Sequence, residues 1–383
     1  MSLILNEHRE YLSDEVRLYS FRAAIAEAVH PGDVVVDLGS GTGVLGLFAC
    51  QAGAAKVYSI EQGPIVSLAR QICRANGFED RMAFIKSLSL RAELPEKVDV
   101  VIADQIGFFG FEAGVLEYFS DARQRFLVHT GRMIPSTIEL WAAPVEIPEL
   151  YANVEFWSKD HPAKIDFGMA LSLAVNTAYS VKFQPKNLLT EPKKLTVLDL
   201  ARSSSEAFKV ESCFMISRAG QLHGIGGWFS AQLSPSVVMT NSPLATVRME
   251  RSNAFFPVER RLDVIQGDKV LVTMHIVPSE NLVSWNVEVL RNEDSDWKRI
   301  GTFRQSTFKG MLIGQDDLSH TRSNFVPKLT GWGDASLSIL NLCDGHRQLA
   351  EIETEVYRRY PRLFHSPAEV ARFVAEVVAR YSQ

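Results

Sequence analysis

The sequence predicts three parts: an α/β domain on a parallel sheet, an antiparallel β domain of barrel or sandwich type, and a small helical module. Three observations carry this. Short β-branched apolar runs alternate with helix-like segments as far as Val128. Alternating or β-rich runs, separated by Pro, Gly, Ser and Asn, follow Pro135. From Asp316 onward, apolar residues recur at helical spacing. The length of 383 residues agrees with two or three domains, at ~100–200 residues each.

In the first part, the strand-like runs are residues 33–38 (DVVVDL), Lys56–Ile60 (KVYSI), 82–86 (MAFIK) and Val98–Ala103 (VDVVIA). The helix-like segments Val44–Ala52 and 64–76 are each stopped by a glycine, Gly53 and Gly77, where a left-handed C-cap costs least. Strands that are apolar throughout are buried on both faces, so the sheet is parallel and carries helices on either side. In the second part, the runs are 136–145, 195–200, 207–216, 226–233, 237–239, Lys269–Val277 and 282–290, with 156–170 as its one helix candidate. In the third, residues 335–343 form a helix ended by Asp344-Gly345, and Leu349, Ile352, Val356 and Tyr360 mark a second. Ser366-Pro367-Ala368-Glu369 is a capping box with proline at the first helical position, so a third helix starts there. Its inner face is Val370, Phe373, Val374, Val377 and Tyr381. Such a trio suggests a helix-turn-helix or winged-helix module. The expected boundaries are 1–135, 136–315 and 316–383.

Composition narrows the function. Hydrophobic residues at 46% and charged residues at 22% describe an ordinary globular chain. A net charge of −5 argues against a dedicated nucleic-acid binder, which needs a basic surface to neutralise phosphates. The last part has eight Arg/Lys against seven Asp/Glu from Thr321 to Gln383, a balance that favours a peptide partner over DNA. Cys50, Cys73, Cys213 and Cys343 are far apart, so neither a disulfide framework nor a metal site is indicated and a reducing cytoplasm fits. The start is too short and too acidic for a signal peptide. No apolar run approaches the ~18 residues of a membrane span. A soluble, cytoplasmic protein is expected, with no membrane and no nucleic-acid partner.

The strongest local signal is Val36-Asp37-Leu38-Gly39-Ser40-Gly41-Thr42-Gly43, where the first strand turns into a helix. Glycines there allow a sharp bend and let a ligand lie against main-chain N–H groups, while the helix N-terminus offers unpaired donors to an anionic group. Glu61 lies at the end of the second strand, 22 residues after Gly39, where an acid accepts both hydroxyls of a ribose. Two cofactor classes fit such a turn. The dinucleotide fingerprint is GxGxxG, whereas this loop reads GxGxG. The tighter spacing and Asp37, two residues before the first glycine, favour S-adenosylmethionine. The bland alternative is a merely tight βα turn, which does not require three glycines.

These residues resemble the protein arginine methyltransferase family, and the likeness covers roughly residues 8–315. Residues His8-Arg9-Glu10-Tyr11-Leu12-Ser13-Asp14-Glu15-Val16-Arg17 are similar to the family's cofactor-covering helix. The resemblance implies a Rossmann-like methyltransferase domain followed by an antiparallel β-barrel. It also implies that Arg17 pairs with the donor's carboxylate, a sound bidentate anchor, and that Glu61 holds the ribose. Cofactor binding thus falls to Arg17, Asp37, Gly39, Gly41, Gly43 and Glu61. Residues 151–187, with Trp157 and Phe167-Gly168, resemble the arm through which family members form head-to-tail dimers, so a homodimer is expected. Leu188-Leu189-Thr190-Glu191-Pro192, running on to Val197-Leu198-Asp199-Leu200, resembles the barrel entry.

The family signature is a loop after the fourth strand in which two glutamates flank a glycine-aromatic turn and grip the substrate guanidinium. Here the loop reads Asp104-Gln105-Ile106-Gly107-Phe108-Phe109-Gly110-Phe111-Glu112-Ala113. Asp104 stands for the first glutamate, with a shorter reach. The second falls on Ala113 without a gap, so either the loop is one residue shorter and Glu112 substitutes, or that carboxylate is lost. Helix capping or solvent exposure is the competing reading for both acids. For Phe108, Phe109 and Phe111 a pocket wall is favoured over stacking on substrate, and Tyr11 either lines the acceptor pocket or simply packs. The family's Thr-His-Trp segment, whose histidine pairs with an aspartate matched by Asp14, is replaced by Met249-Glu250-Arg251. These departures widen the acceptor from arginine to a histidine, lysine, ornithine or amide nitrogen.

From Asn324 onward the chain is similar to PqqD-like modules, which bind leader segments of ribosomally made peptides. The residues are Pro327-Lys328-Leu329, Ile339-Leu340-Asn341-Leu342-Cys343-Asp344-Gly345 and Ala350-Glu351-Ile352. The resemblance implies docking of a leader strand on a sheet edge beside the last helix; a helical cap on the barrel is the alternative. The expected activity is S-adenosylmethionine-dependent methylation of a side-chain nitrogen of a peptide or protein, with Asp104 and Glu112 as catalytic residues. A catalytically inactive peptide-binding partner and a small-molecule methyltransferase are the competing readings. A nicotinamide oxidoreductase ranks last, because the loop spacing is wrong for it.

Overall fold

The computed structural model describes residues 3–158 and 163–382. The chain divides into two compact units, Met1–Met311 and Leu312–Gln383.

The first unit opens with α1 (Leu3–Ser13) and α2 (Glu15–Ala28), then alternates β1 (Val34–Leu38), α3 (Val44–Ala52), β2 (Lys56–Ile60), α4 (Val66–Ala75), β3 (Met82–Ile85), β4 (Val98–Ala103), α5 (Val115–Arg125) and β5 (Leu127–Ile134). The sheet runs β3-β2-β1-β4-β5, and every pair in it is parallel. The chain crosses one way from β1 to β2 and the other way to reach β4, so a crevice opens beyond the carboxyl ends of these strands. The strand β5 is an edge strand the sequence hid, because Thr130, Gly131 and Arg132 break its apolar run.

Beyond Pro135 come β6 (Thr137–Val145), α6 (Pro148–Glu155), α7 (Gly168–Ala174), β7 (Tyr179–Val181), β8 (Lys193–Asp199), β9 (Phe208–Met215), β10 (Gly220–Gln232), β11 (Val238–Thr240), β12 (Asn253–Val264), β13 (Lys269–Val277), β14 (Leu282–Glu293) and β15 (Asp296–Ser306). They form two antiparallel sheets, ordered β7-β12-β10-β6-β8 with β11 on β10, and β15-β14-β13-β9. The strands β7, β12 and β15 were not expected. Pro257 inside β12 argues against a strand. It is accommodated where the pairing with β10 shifts register between Leu222 and Gly224. The continuous helix expected at 156–170 is also corrected. The helix α6 ends before that stretch and α7 begins only within its last three residues, while residues 159–162 are outside the described part. One hydrophobic core joins the parallel sheet to both antiparallel sheets, with Phe109, Phe256 and Trp285 fully buried in it.

The second unit contains α8 (Gln315–His320), α9 (Gly331–Leu342), α10 (Leu349–Arg359) and α11 (Pro367–Tyr381). Ser366 caps α11 by accepting from the Glu369 N–H. Ile339, Leu342, Ile352, Val356, Phe364, Val370, Val374 and Val377 form its own core. Tyr381, expected on the inner face, is instead exposed. No strand occurs among the described residues of this unit, so a winged arrangement has no wing here and a leader strand has no sheet edge within it.

Candidate active site

The glycine loop sits at the head of β1, and Gly39, Gly41 and Gly43 all have positive φ. A Cβ on Gly39 would collide with the Gln105 amide, and one on Gly41 would come within 2.8 Å of His8 on α1. Close approach on both sides therefore requires glycine at these two positions. Glu61 at the end of β2 accepts the Gly41 N–H at 3.0 Å and the Gly63 N–H at 2.6 Å. A carboxylate has about four acceptor positions, so it retains capacity for two hydroxyls.

Asp37 is buried and accepts the Gly46 N–H at 3.0 Å. It ties β1 to the first turn of α3, a structural duty beside its place in the cavity wall. Burial is the main cause that pushes its carboxyl from 3.8 up to about 7. The charges of Glu61 and Asp104 push the same way, against the Gly46 N–H and Arg17. The folded chain therefore holds a proton that the unfolded chain releases above its ordinary value. This contribution favours folding at low pH and is lost as pH rises from 3.8 to about 7. Asp37→Asn is expected to flatten the loss. Melting temperatures at pH 5 and pH 8 should lie closer together in the variant than in the parent, and an unchanged gap would show that Asp37 is already ionised.

These residues surround a cavity of about 430 Å³, whose wall includes His8, Tyr11, Arg17, Asp37, Gly39, Gly41, Glu61, Ile65, Leu88, Asp104 and Gln105. Arg17 on α2 donates through Nε to Asp104 Oδ2, with 8% and 6% of the two side chains exposed. Its Nη1 donates to the Tyr11 carbonyl at 3.0 Å. Ser40 Oγ, Asp104 Oδ1 and Gln105 Oε1, all on this wall, are buried without a hydrogen-bond partner. Bare glycine backbone, a guanidinium and unpaired oxygens together suit a ligand with a carboxylate, an amine and a ribose.

A second cavity, of about 570 Å³, shares Glu7, Tyr11 and Arg17 with the first. Glu10, Asp14, Phe108, Lys182, Glu250 and Arg251 are among its other lining residues. Asp14 caps α2 by accepting the Arg17 N–H at 3.1 Å, and its second oxygen accepts the Glu250 N–H at 2.9 Å. The carboxylate that matches the family's histidine partner thus still joins α2 to the β domain, through a main-chain donor.

Glu112 is placed differently from Asp104. Both its carboxylate oxygens accept the Phe109 N–H, at 2.9 and 3.1 Å, and Oε2 accepts the Phe111 N–H at 3.2 Å. Burial raises its pKa against the pull of these N–H groups. It holds its own loop and lines neither cavity. Phe109 and Phe111 are fully buried, whereas Phe108 is exposed and lines the second cavity. The sequence did not reveal Asn241, which is buried, accepts the Phe229 N–H at 2.9 Å and donates to the Phe108 carbonyl at 2.9 Å. It fastens the carboxylate loop to β10. Nothing in a lone Thr-Asn-Ser-Pro stretch signals such a role.

The fold and the paired cavities define a class I methyltransferase with a β domain appended. Residues 136–288 match the arginine methyltransferase oligomerization subdomain, and residues 22–142 match ribosomal protein L11 methyltransferase. Protein arginine N-methyltransferase 6 of Danio rerio is 30% identical over 291 residues, covering 71% of this chain and 82% of its own. Protein arginine N-methyltransferase 1 of Dictyostelium discoideum is 27% identical over 281 residues, covering 71% and 81%. Among solved structures, the Trypanosoma brucei protein arginine methyltransferase 1 enzyme–prozyme heterotetrameric complex with AdoHcy superposes with a TM-score of 0.69. Its identity is 21%, and it covers 78% of this chain and 97% of its own. Arabidopsis thaliana protein arginine methyltransferase 10 gives a TM-score of 0.68 at 22% identity, covering 79% and 98%. The chain belongs to the protein arginine N-methyltransferase family. It is a methyltransferase, and its methyl donor is S-adenosylmethionine. Among the described residues, no helix is long and apolar enough to cross a membrane.

Proposed function

We propose that this chain methylates a cationic side-chain nitrogen, of arginine in the first instance, in a protein or peptide. The observation that supports this best is the second cavity. It adjoins the donor cavity through shared Tyr11 and Arg17, and four carboxylates, Glu7, Glu10, Asp14 and Glu250, line it beside Arg17, Lys182 and Arg251. Carboxylates so placed can pair with a guanidinium, a match that a neutral acceptor cannot offer. Arg17 holds the donor's carboxylate, Glu61 the ribose hydroxyls, and Ile65 with Leu88 the apolar face of the base. S-adenosylmethionine would supply there a methyl group on a sulfonium. As the acceptor nitrogen's lone pair forms the N–C bond the C–S bond breaks, the neutral thioether leaves, and the proton displaced from the nitrogen passes to solvent. Asp104 stands on the donor-cavity wall and not in the second cavity, so it meets the acceptor nitrogen only where the two cavities join at Tyr11 and Arg17. There its unpaired Oδ1 accepts the acceptor's N–H and offsets the positive charge. Glu112 keeps the loop in shape behind it.

Trp157, Ile165 and Met169 are exposed on and beside α6 and α7, and residues 136–288 match a subdomain named for oligomerization. We read this arm as the contact with a second copy. The second unit supports recruitment of a longer peptide: it has its own core and exposes Val326, Leu329, Leu337 and Leu340. Docking a remote segment raises the effective concentration of the acceptor at the active site.

The deciding experiment is intact-mass analysis of candidate proteins and peptides after incubation with the chain and S-adenosylmethionine, with fragmentation to locate each added methyl group. Modification confined to arginine supports the reading. No turnover, with donor binding intact, favours an inactive binding partner. Removal of residues 312–383 is expected to leave turnover of a short acceptor peptide unchanged while raising KM for a long precursor. Equal kinetics on both substrates would exclude recruitment by this unit.

A further inference from the structure

Within the donor site read above, the geometry points to Gln105 as the residue that recognises the amino group of the donor's amino-acid end. Gln105 follows Asp104 on the loop after β4, and its amide packs on Gly39, the first glycine of the turn. Its Oε1 is buried and has no hydrogen-bond partner. Such an oxygen is costly to leave unpaired unless a ligand supplies the missing N–H. Asp104 Oδ1 and Ser40 Oγ, on the same wall, are equally without partners.

An amide oxygen only accepts. The group that satisfies it must supply an N–H, as an ammonium does. The opposite requirement applies at Arg17, whose guanidinium only donates and so takes a carboxylate. Arg17 and Gln105 both line this one cavity. Side by side they form a matched receptor for a zwitterionic α-amino acid end, with Arg17 on the carboxylate and Gln105 on the ammonium. A neutral amide suits this task, since it accepts from the ammonium without adding a further charge beside buried Asp37 and Asp104.

The test is calorimetric binding of S-adenosylhomocysteine and of its deamino analogue, in which hydrogen replaces the amino group. The parent chain should prefer S-adenosylhomocysteine by about 10- to 100-fold, the range of a hydrogen bond to a charged group. Gln105→Leu should remove that preference by weakening S-adenosylhomocysteine alone, leaving the analogue's affinity unchanged. Gln105→Glu retains an acceptor oxygen and should keep the preference, which provides a readout if the leucine variant does not fold. The assignment is overturned if Gln105→Leu weakens both ligands equally, as loss of packing would, or changes neither. Failure of the parent chain to bind either ligand would instead overturn the donor-site reading itself.

Discussion

Arg17→Met is expected to lower the stability of the chain by about 3–5 kcal/mol, the range for breaking one side of a buried ion pair, and to abolish measurable donor binding. Both side chains of the Arg17–Asp104 pair are more than nine-tenths buried. Asp104 Oδ1 already has no partner, so losing the guanidinium leaves the whole carboxylate without one. The guanidinium also lies 5.0 Å from the Tyr11 ring centroid and 5.8 Å from that of Phe21, so α1 and α2 lose a shared contact. Water in the adjoining cavity softens the loss, which places the effect at the lower end of the range. The double variant Arg17→Met, Asp104→Leu should recover most of the stability, because no buried charge remains. It should not recover donor binding, which needs the guanidinium. Urea midpoints for the parent, the single and the double variant separate the two effects. A loss below about 1 kcal/mol in the single variant would place the pair among solvated ones.

The same residues show what the sequence made legible. The glycine turn and Glu61 could be read because their chemistry depends on local spacing: a bend at the head of a strand, and an acid at the end of the next. Asp14 could be recognised as a position but not as a contact. Its partner is the Glu250 N–H, and a main-chain donor leaves no trace in residue identity. Strands β12 and β15 escaped for a different reason. Pro257 interrupts one, and Asp296, Lys298 and Arg299 give the other a solvated start, although long-range pairing with β10 and β14 holds both. Gln105 was passed over because its meaning lies across space, in an amide laid against Gly39 from another strand's loop. Glu112 was legible as an acid near the right place. The direction of its carboxylate depends on how the Phe109–Phe111 turn closes, which spacing does not specify.

That direction separates the roles of the two acids. Asp104→Asn is expected to lower kcat by about 100- to 1000-fold, the usual loss when one electrostatic contact to the reacting centre is removed, with KM little changed. Glu112→Gln should act otherwise. An amide oxygen can still accept from the Phe109 N–H, but its NH₂ group then faces the Phe111 N–H, and two donors repel. The loop loosens at a cost of about 1–3 kcal/mol. The acceptor wall moves with it, because Phe108 belongs to both the loop and the second cavity. KM should therefore rise while kcat falls less than in Asp104→Asn, and both variants should melt lower, the Asp104 variant because Arg17 loses its buried counter-charge. The opposite pattern, in which Glu112→Gln abolishes kcat at unchanged stability, would mean that the carboxylate leaves the Phe109 and Phe111 N–H groups and turns into the acceptor cavity when substrate binds. The loop would then be a two-position device, and the second acid of the signature would be retained one residue early in the chain. Steady-state kinetics on one peptide, together with thermal melts of both variants, distinguishes a single working carboxylate from a pair.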